Sequence, residues 1–245
     1  MSYRVRRVTG LILIALGGVM WILQGLITQL TPFGKSPSVV VTQDKTQTQI
    51  VPSNEARAID VLETLAVKGR APKTGYERVQ FGNGWLLVGR CDTRNIILNR
   101  DLSSVVVNEE CKVTSGVLDD PYTGANIVFA RGKDTSSLVQ IDHVVALSDA
   151  WQKGAQLLTF EQRIQFANDP LELLAVDGSA NQAKGDGDAA TWLPANKAFR
   201  CQYVARQIAV KAKYALWVTD AEKQAMQKVL TTCPDQRVPT VGKAA

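Results

Sequence analysis

The sequence is poor in histidine and lacks paired cysteine motifs, and it has no acid near its start. Among 245 residues His143 is the single histidine. Zinc protease helices of the HExxH type, two-histidine catalytic pairs and histidine-rich two-metal hydrolase centres each need more than one, so all three are excluded. Cys91, Cys111, Cys201 and Cys233 contain no CxxC spacing, and with one histidine they make a poor structural zinc site. No GxSxG pentapeptide occurs, which removes the nucleophile elbow of serine hydrolases. Residues 1–35 hold Arg4, Arg6, Arg7 and Lys35 and no acid, so the formal charge of +5 is mostly local. The other 210 residues carry 24 basic against 23 acidic side chains, and the high overall pI therefore says little about a partner. With 45% hydrophobic and 21% charged residues, the chain fits one globular domain with a terminal appendage. A wholly disordered or fibrous protein is excluded.

From Val8 to Leu30 the sequence runs 23 residues without a charge. A bilayer core of ~30 Å needs about 20 apolar residues in a helix. The three preceding arginines keep residues 1–7 in the cytoplasm, so residues 8–30 are expected to anchor the chain with everything after them outside the membrane. A cleaved signal peptide would have a shorter apolar stretch and a small-x-small site, which Thr31-Pro32-Phe33 does not offer; cleavage would make the protein secreted. Residues 31–52, with Pro32, Pro37, Pro52 and the polar run Thr42 to Gln49, read as a spacer. The folded domain is expected over 53–235 and a tail over 236–245. Outside the cell an even number of cysteines is expected to pair.

Ser53 can cap a helix in which Ala58, Ile59, Leu62, Leu65 and Ala66 recur at helical spacing. Tyr76 to Phe129 alternates short apolar runs, such as Ile96-Ile97-Leu98, with Gly, Asn and Asp clusters, which predicts loops and short strands. Ser136 to Val145 reads as a strand, Ser148 to Ala167 as largely helical, and Leu171 to Val176 as a second strand. The chain then turns at Asp177-Gly178 into a helix that Ser179 could cap. Pro194 to Trp217 reads as a helix carrying Lys197, Arg200, Arg206, Lys211 and Lys213 without an acid, its aromatics inward and its cations outward, a surface suited to backbone phosphates. Asp169, Asp177, Asp186 and Asp188 read as solvated turns. Thr219-Asp220-Ala221-Glu222 is a capping box opening another helix. The antiparallel pair rises roughly 24 Å and returns roughly 20 Å. Cys201 and Cys233 therefore meet at one end, which leaves Cys91 for Cys111. Each bridge should contribute ~3–4 kcal/mol.

Asp142 and His143 close the first of these strands, and Asn181 opens the helix packed on it. A carboxylate and an amide oxygen there could converge on one hard cation such as magnesium. The stretches IDHVVALSDAW, FANDPLELLAV and NQAKGD resemble the HNH branch of the ββα-metal endonucleases. With FGNGWLLVGRCDTRN, NRDL, LDDPYTG and WLPANKAFRCQY, the wider chain over about 76–233 is similar to exported bacterial HNH nucleases related to the GmrSD type. The resemblance implies a ββα-metal core, and with the anchor and cysteine pairs read above the expected fold is an α+β domain with flanking helices, two disulfides and one N-terminal transmembrane helix. It implies His143 as the general base, Asp142 and Asn181 as metal ligands, Asn168 as a support for the loop or for His143, and Lys184 and Arg94 as phosphate contacts. Arg94 could instead pair with Asp92 or Asp101. The expected activity is metal-dependent endonuclease cleavage of nucleic acid, DNA ahead of RNA, with magnesium (manganese or zinc as substitutes) and no organic cofactor. The reading from another class is a catalytically silent cell-surface binding module that reuses the fold.

Overall fold

A computed structural model of the protein describes residues 56–239. The expected anchor over 8–30, the spacer, and the cap at Ser53 lie outside the described residues. Among the described residues no helix is long and apolar enough to cross a membrane. Helix α1 (Ala58–Thr64) buries Ala58, Val61 and Leu62 on one face. Just before it, the chain pairs with the end of the domain: the Ala58 amide donates to Gln236 O at 2.7 Å and the Val238 amide to Ala56 O. Val238 is buried, so the packed chain runs past residue 235.

A short hairpin of β1 (Leu87–Val88) and β2 (Cys91–Asp92) leads into α2 (Thr93–Asp101). This helix lies where loops and short strands were expected. Its cause is local: Asp92 accepts from the Asn95 amide at 2.8 Å, and Ile97 and Leu98 supply a buried face. A three-stranded antiparallel meander follows, β3 (Ser103–Val107), β4 (Val113–Asp119) and β5 (Asn126–Ala130).

Strands β6 (Val139–His143) and β7 (Leu173–Asp177) pair antiparallel, with Asp142 opposite Leu174 and His143 opposite Leu173. Between them come α3 (Leu147–Gln152) and α4 (Phe160–Ala167), in the stretch expected to be largely helical. Gly154, at φ 121°, and the Thr159–Gln162 capping box divide the two. Helix α5 (Gly178–Lys184) completes the strand–strand–helix unit, and Asp177, not Ser179, caps it through the Ala180 amide at 2.7 Å. Gly178 is obligatory at this turn, because a Cβ there would sit 2.1 Å from Ser137 O. Helices α6 (Arg200–Lys213) and α7 (Asp220–Leu230) form the expected hairpin, α7 opening with the expected capping box of Thr219 and Glu222. Cys201 is bonded to Cys233 and Cys91 to Cys111, with Cα separations of 6.4 and 5.2 Å.

The β6–β7 pair is covered on both faces. Val139, Ile141, Leu173 and Ala175 pack with Ile97 and Leu98 of α2 and with Phe129 of β5. Leu174 and Val176 face the larger core built on α1, α3, α4, α6 and α7. Inside that core lies a set of ions. Lys153 Nζ is 2.7 Å from each of Asp149 Oδ1, Asp188 Oδ2 and Glu222 Oε2. Lys211 Nζ is 3.0 Å from Glu222 Oε1, and Arg70 is 2.8 Å from Asp149 and 2.7 Å from Asp188. Burial alone would discharge Lys153, but Asp149 and Glu222 hold it above its usual pKa. Two expectations are corrected here: Lys211 is not on an outer face and Asp188 is not in a solvated turn, since both are fully enclosed by opposite charges.

Lys153→Ala leaves three buried carboxylates facing two cations, and should lower the free energy of unfolding in urea by about 3–5 kcal/mol. The exposed Lys228→Ala should change it by no more than about 0.5 kcal/mol.

Candidate active site

His143 ends β6, and alternation along the strand sends its ring to the face opposite Asp142. The ring Nε2 lies 3.0 Å from Ala167 O. A carbonyl only accepts, so Nε2 carries the hydrogen and Nδ1 keeps its lone pair. No protein group among the described residues hydrogen-bonds Nδ1. Trp85 stacks on the imidazole, centroids 5.8 Å apart and planes 6° from parallel. The ring lines a cavity of about 60 Å³ that Arg78, Phe81, Gly82, Gly84 and Leu147 also border. Burial, with smaller contributions from the charges of Arg78 and Lys184, pushes the imidazole down to about 3, so it is neutral across the physiological range.

The surroundings of His143 are held from several elements. Asn168 accepts from the Leu86 amide at 2.9 Å and donates to Ile164 O at 3.0 Å, so it ties the loop carrying Trp85 to α4. After His143 the chain is pinned at each residue. His143 O accepts from Lys184, Val144 O accepts from Gln207, and the Val145 amide donates to the Glu172 carboxyl group at 3.2 Å. Glu172 is fully buried and was not among the residues expected at the site. Its signal was a lone acid inside the apolar run Leu171 to Val176, where a carboxyl group needs a partner.

On the other face of β6, Asp142 accepts from the Tyr122 hydroxyl through Oδ2 and from Lys184 Nζ at 2.9 Å through Oδ1. Asn181, one turn before Lys184, donates to Gln140 at 2.9 Å. Lys184 was expected to meet a phosphate, but its side chain is enclosed and its ammonium neutralises Asp142. Arg94 is turned to Val139 O at 3.1 Å, the end of β6 opposite His143, and pairs with neither Asp92 nor Asp101. The basic stripe expected on α6 is also dispersed. Lys213 binds Asp169 at 2.6 Å, Arg206 donates to Leu171 O, Arg200 to Pro194 O, and Lys211 is buried, which leaves Lys197. Asp169 is thus paired, Asp177 is a cap, and of the four expected acidic turns Asp186 alone is exposed.

These residues do not fit a divalent cation in the arrangement observed. Both oxygens of Asp142 already have donors, one of them a cation, and Asp142 and Lys184 are 4% and 3% exposed. Among the described residues no three His, Cys, Asp or Glu side chains gather where they could hold a metal.

The fold and site define a disulfide-stapled α+β domain in which a strand–strand–helix unit presents one neutral histidine to a small cavity. Residues 92–229 match the family described as GmrSD restriction endonucleases, C-terminal domain, and the chain belongs to that family. Membership supports a nuclease-type function. The chain is also 42% identical over 178 residues, 72% of its own length and 84% of the relative's, to an "Uncharacterized secreted protein" of the fungus Arthroderma benhamiae (strain ATCC MYA-4681 / CBS 112371). No solved structure matches. The two disulfides and the secreted relative fit an extracellular location.

Two outcomes follow from the site's supports. Burial raises the Glu172 carboxyl well above its usual 4.5, so its contribution to stability is full below that pH and is lost as the pH rises above it. Glu172→Gln keeps an acceptor for Val145 and removes this loss, and urea unfolding should show the wild type weakening relative to the variant between about pH 5 and 8. Asn168→Ala strips the partner from the Leu86 amide and should lower stability by about 1–3 kcal/mol. The ring resonance of the single histidine should shift in the same variant as Trp85 loosens.

Proposed function

We propose that the protein is an endonuclease acting outside the membrane, in which His143 deprotonates the water that attacks a phosphodiester. The observation that carries this reading is the imidazole anchored by Nε2–H on Ala167 O, with an unpartnered Nδ1 on a ring bordering an open cavity. Family membership and the paired cysteines agree with it. The water's proton passes to Nδ1 as its oxygen bonds to phosphorus, the bond to the leaving sugar oxygen breaks, and that oxygen takes a proton from solvent. His143 then returns its own proton to solvent. A pKa near 3 belongs to the site without substrate; the negative charge of a bound phosphate favours the protonated ring and makes it a stronger base when it is needed.

DNA is ranked ahead of RNA on the strength of the family's description. Magnesium, with manganese or zinc as substitutes, belongs to the reading through Asp142 and Asn181, the two oxygen donors on the α5 side of β6. Such an ion would have to take the place of Lys184 beside Asp142. The chemistry assigned to His143 does not depend on that exchange.

The test is cleavage of plasmid DNA and of RNA by the full chain, in EDTA and with each metal. His143→Ala should lower the rate on DNA by roughly 10²–10⁴-fold, with the far-UV circular dichroism unchanged. Undiminished cleavage by that variant, or none by the wild type on either nucleic acid in any condition, would overturn the proposal. A strict requirement for magnesium would support an ion at Asp142 in place of Lys184, and cleavage in EDTA would show that His143 acts without one.

A further inference from the structure

Arg78 differs from the other arginines of the domain. Each of the rest among the described residues has a partner, most of them a carboxylate or a carbonyl oxygen. The Arg78 side chain has no hydrogen bond and no ion pair among the described residues, and it is exposed. Its position is set by the 3-10 turn Arg78–Phe81, which places it on the cavity of His143. Among the described residues it is the one charged side chain bordering that cavity, and no acid borders it. A guanidinium beside a neutral imidazole gives the cavity a positive potential that no acid among its described lining residues offsets.

The cavity, about 60 Å³, is open on one side, so a group presented from solvent can reach the residues that border it. Two glycines also border the cavity. Gly82 and Gly84 have φ of 94° and 93°, and nothing lies within 4 Å of where a Gly84 Cβ would be. A ligand can therefore come close to the main chain at Gly84, whereas Ile164 covers Gly82 at 3.2 Å from where a Cβ would be. Trp85, next in sequence, roofs His143 and keeps the imidazole in place. The two cations that the sequence pointed to for phosphate, Lys184 and Arg94, are both spent inside the protein.

We infer that Arg78 holds the scissile phosphodiester in the cavity of His143, its planar guanidinium donating to the non-bridging oxygens. Five donors in a fixed fork match two oxygens of one phosphate, which a lysine ammonium cannot do. The same contact meets the charge that grows on those oxygens as water adds to phosphorus. The inference rests on the nuclease reading for its reaction, but the binding step can be measured apart from it.

The single histidine makes that measurement direct, since one imidazole resonance reports the cavity. Titration of the full chain with dimethyl phosphate, a phosphodiester without bases or sugars, should move this resonance to saturation. Arg78→Ala should weaken binding roughly 10- to 100-fold and slow plasmid cleavage by about 10²–10³-fold. Its thermal unfolding should stay that of the wild type, because the side chain makes no bond to lose. Arg78→Lys should recover binding in part and rate in smaller part. Unchanged binding and cleavage in Arg78→Ala would overturn the inference, while an inactive His143→Ala would leave the nuclease reading standing. If no protein cleaves any nucleic acid, that reading fails, and the titration still decides this one: a saturable shift abolished in Arg78→Ala supports it, and no shift in the wild type overturns it.

Discussion

Lys153, enclosed by Asp149, Asp188 and Glu222, is the constraint on which the rest of the domain depends. Bringing charges out of water is costly, and the cost is met only while each cation keeps its carboxylates within hydrogen-bonding distance. With Lys211 and Arg70 the set balances three positive charges against three negative ones. Its members come from α3, α6, α7, the segment after α5 and the segment after α1, so none of these can shift without uncovering a charge. Helix α3 begins four residues after His143, and fixing α3 fixes the exit of the chain from the site.

The second organising fact is the pleat of β6. Neighbours on a strand point to opposite faces, so Asp142 and His143, adjacent in sequence, serve two separate environments. Asp142 joins Tyr122 and Lys184 in a closed polar cluster that carries no open coordination position. His143 stacks with Trp85 at an open cavity that Arg78 also borders. The closed cluster still serves the open site, because Lys184 also holds the His143 carbonyl oxygen and so ties α5 to the strand end.

Much of the fold was legible. The strand, insertion, strand, helix order, the capping box at Thr219 and both disulfide pairs follow from local chemistry and helix length. Helix α2 was not legible, since its short apolar face, Ile97 and Leu98, carries too little periodicity and its start depends on one Asp92 cap. The candidate site was legible in one residue type, histidine, because there is only one. Trp85 and Arg78 were not, since an aromatic and an exposed cation have no local pattern that marks them, while Glu172 carried only the faint signal of one acid inside an apolar run.

The sequence by itself determined that the domain is built around a strand–strand–helix unit, that its cysteines pair as they do, and that any histidine chemistry must run through His143. These follow from spacing, capping and count, which act over a few residues or need no geometry at all. Only the tertiary structure decided which cations are free. Lys184, Arg94, Lys211, Arg206 and Lys213 look alike in sequence to Arg78, yet all five are consumed by carboxylates and carbonyl oxygens brought to them by the fold. Pairing depends on distances between segments far apart in the chain, and a charge of either sign carries no local record of the partner it will meet.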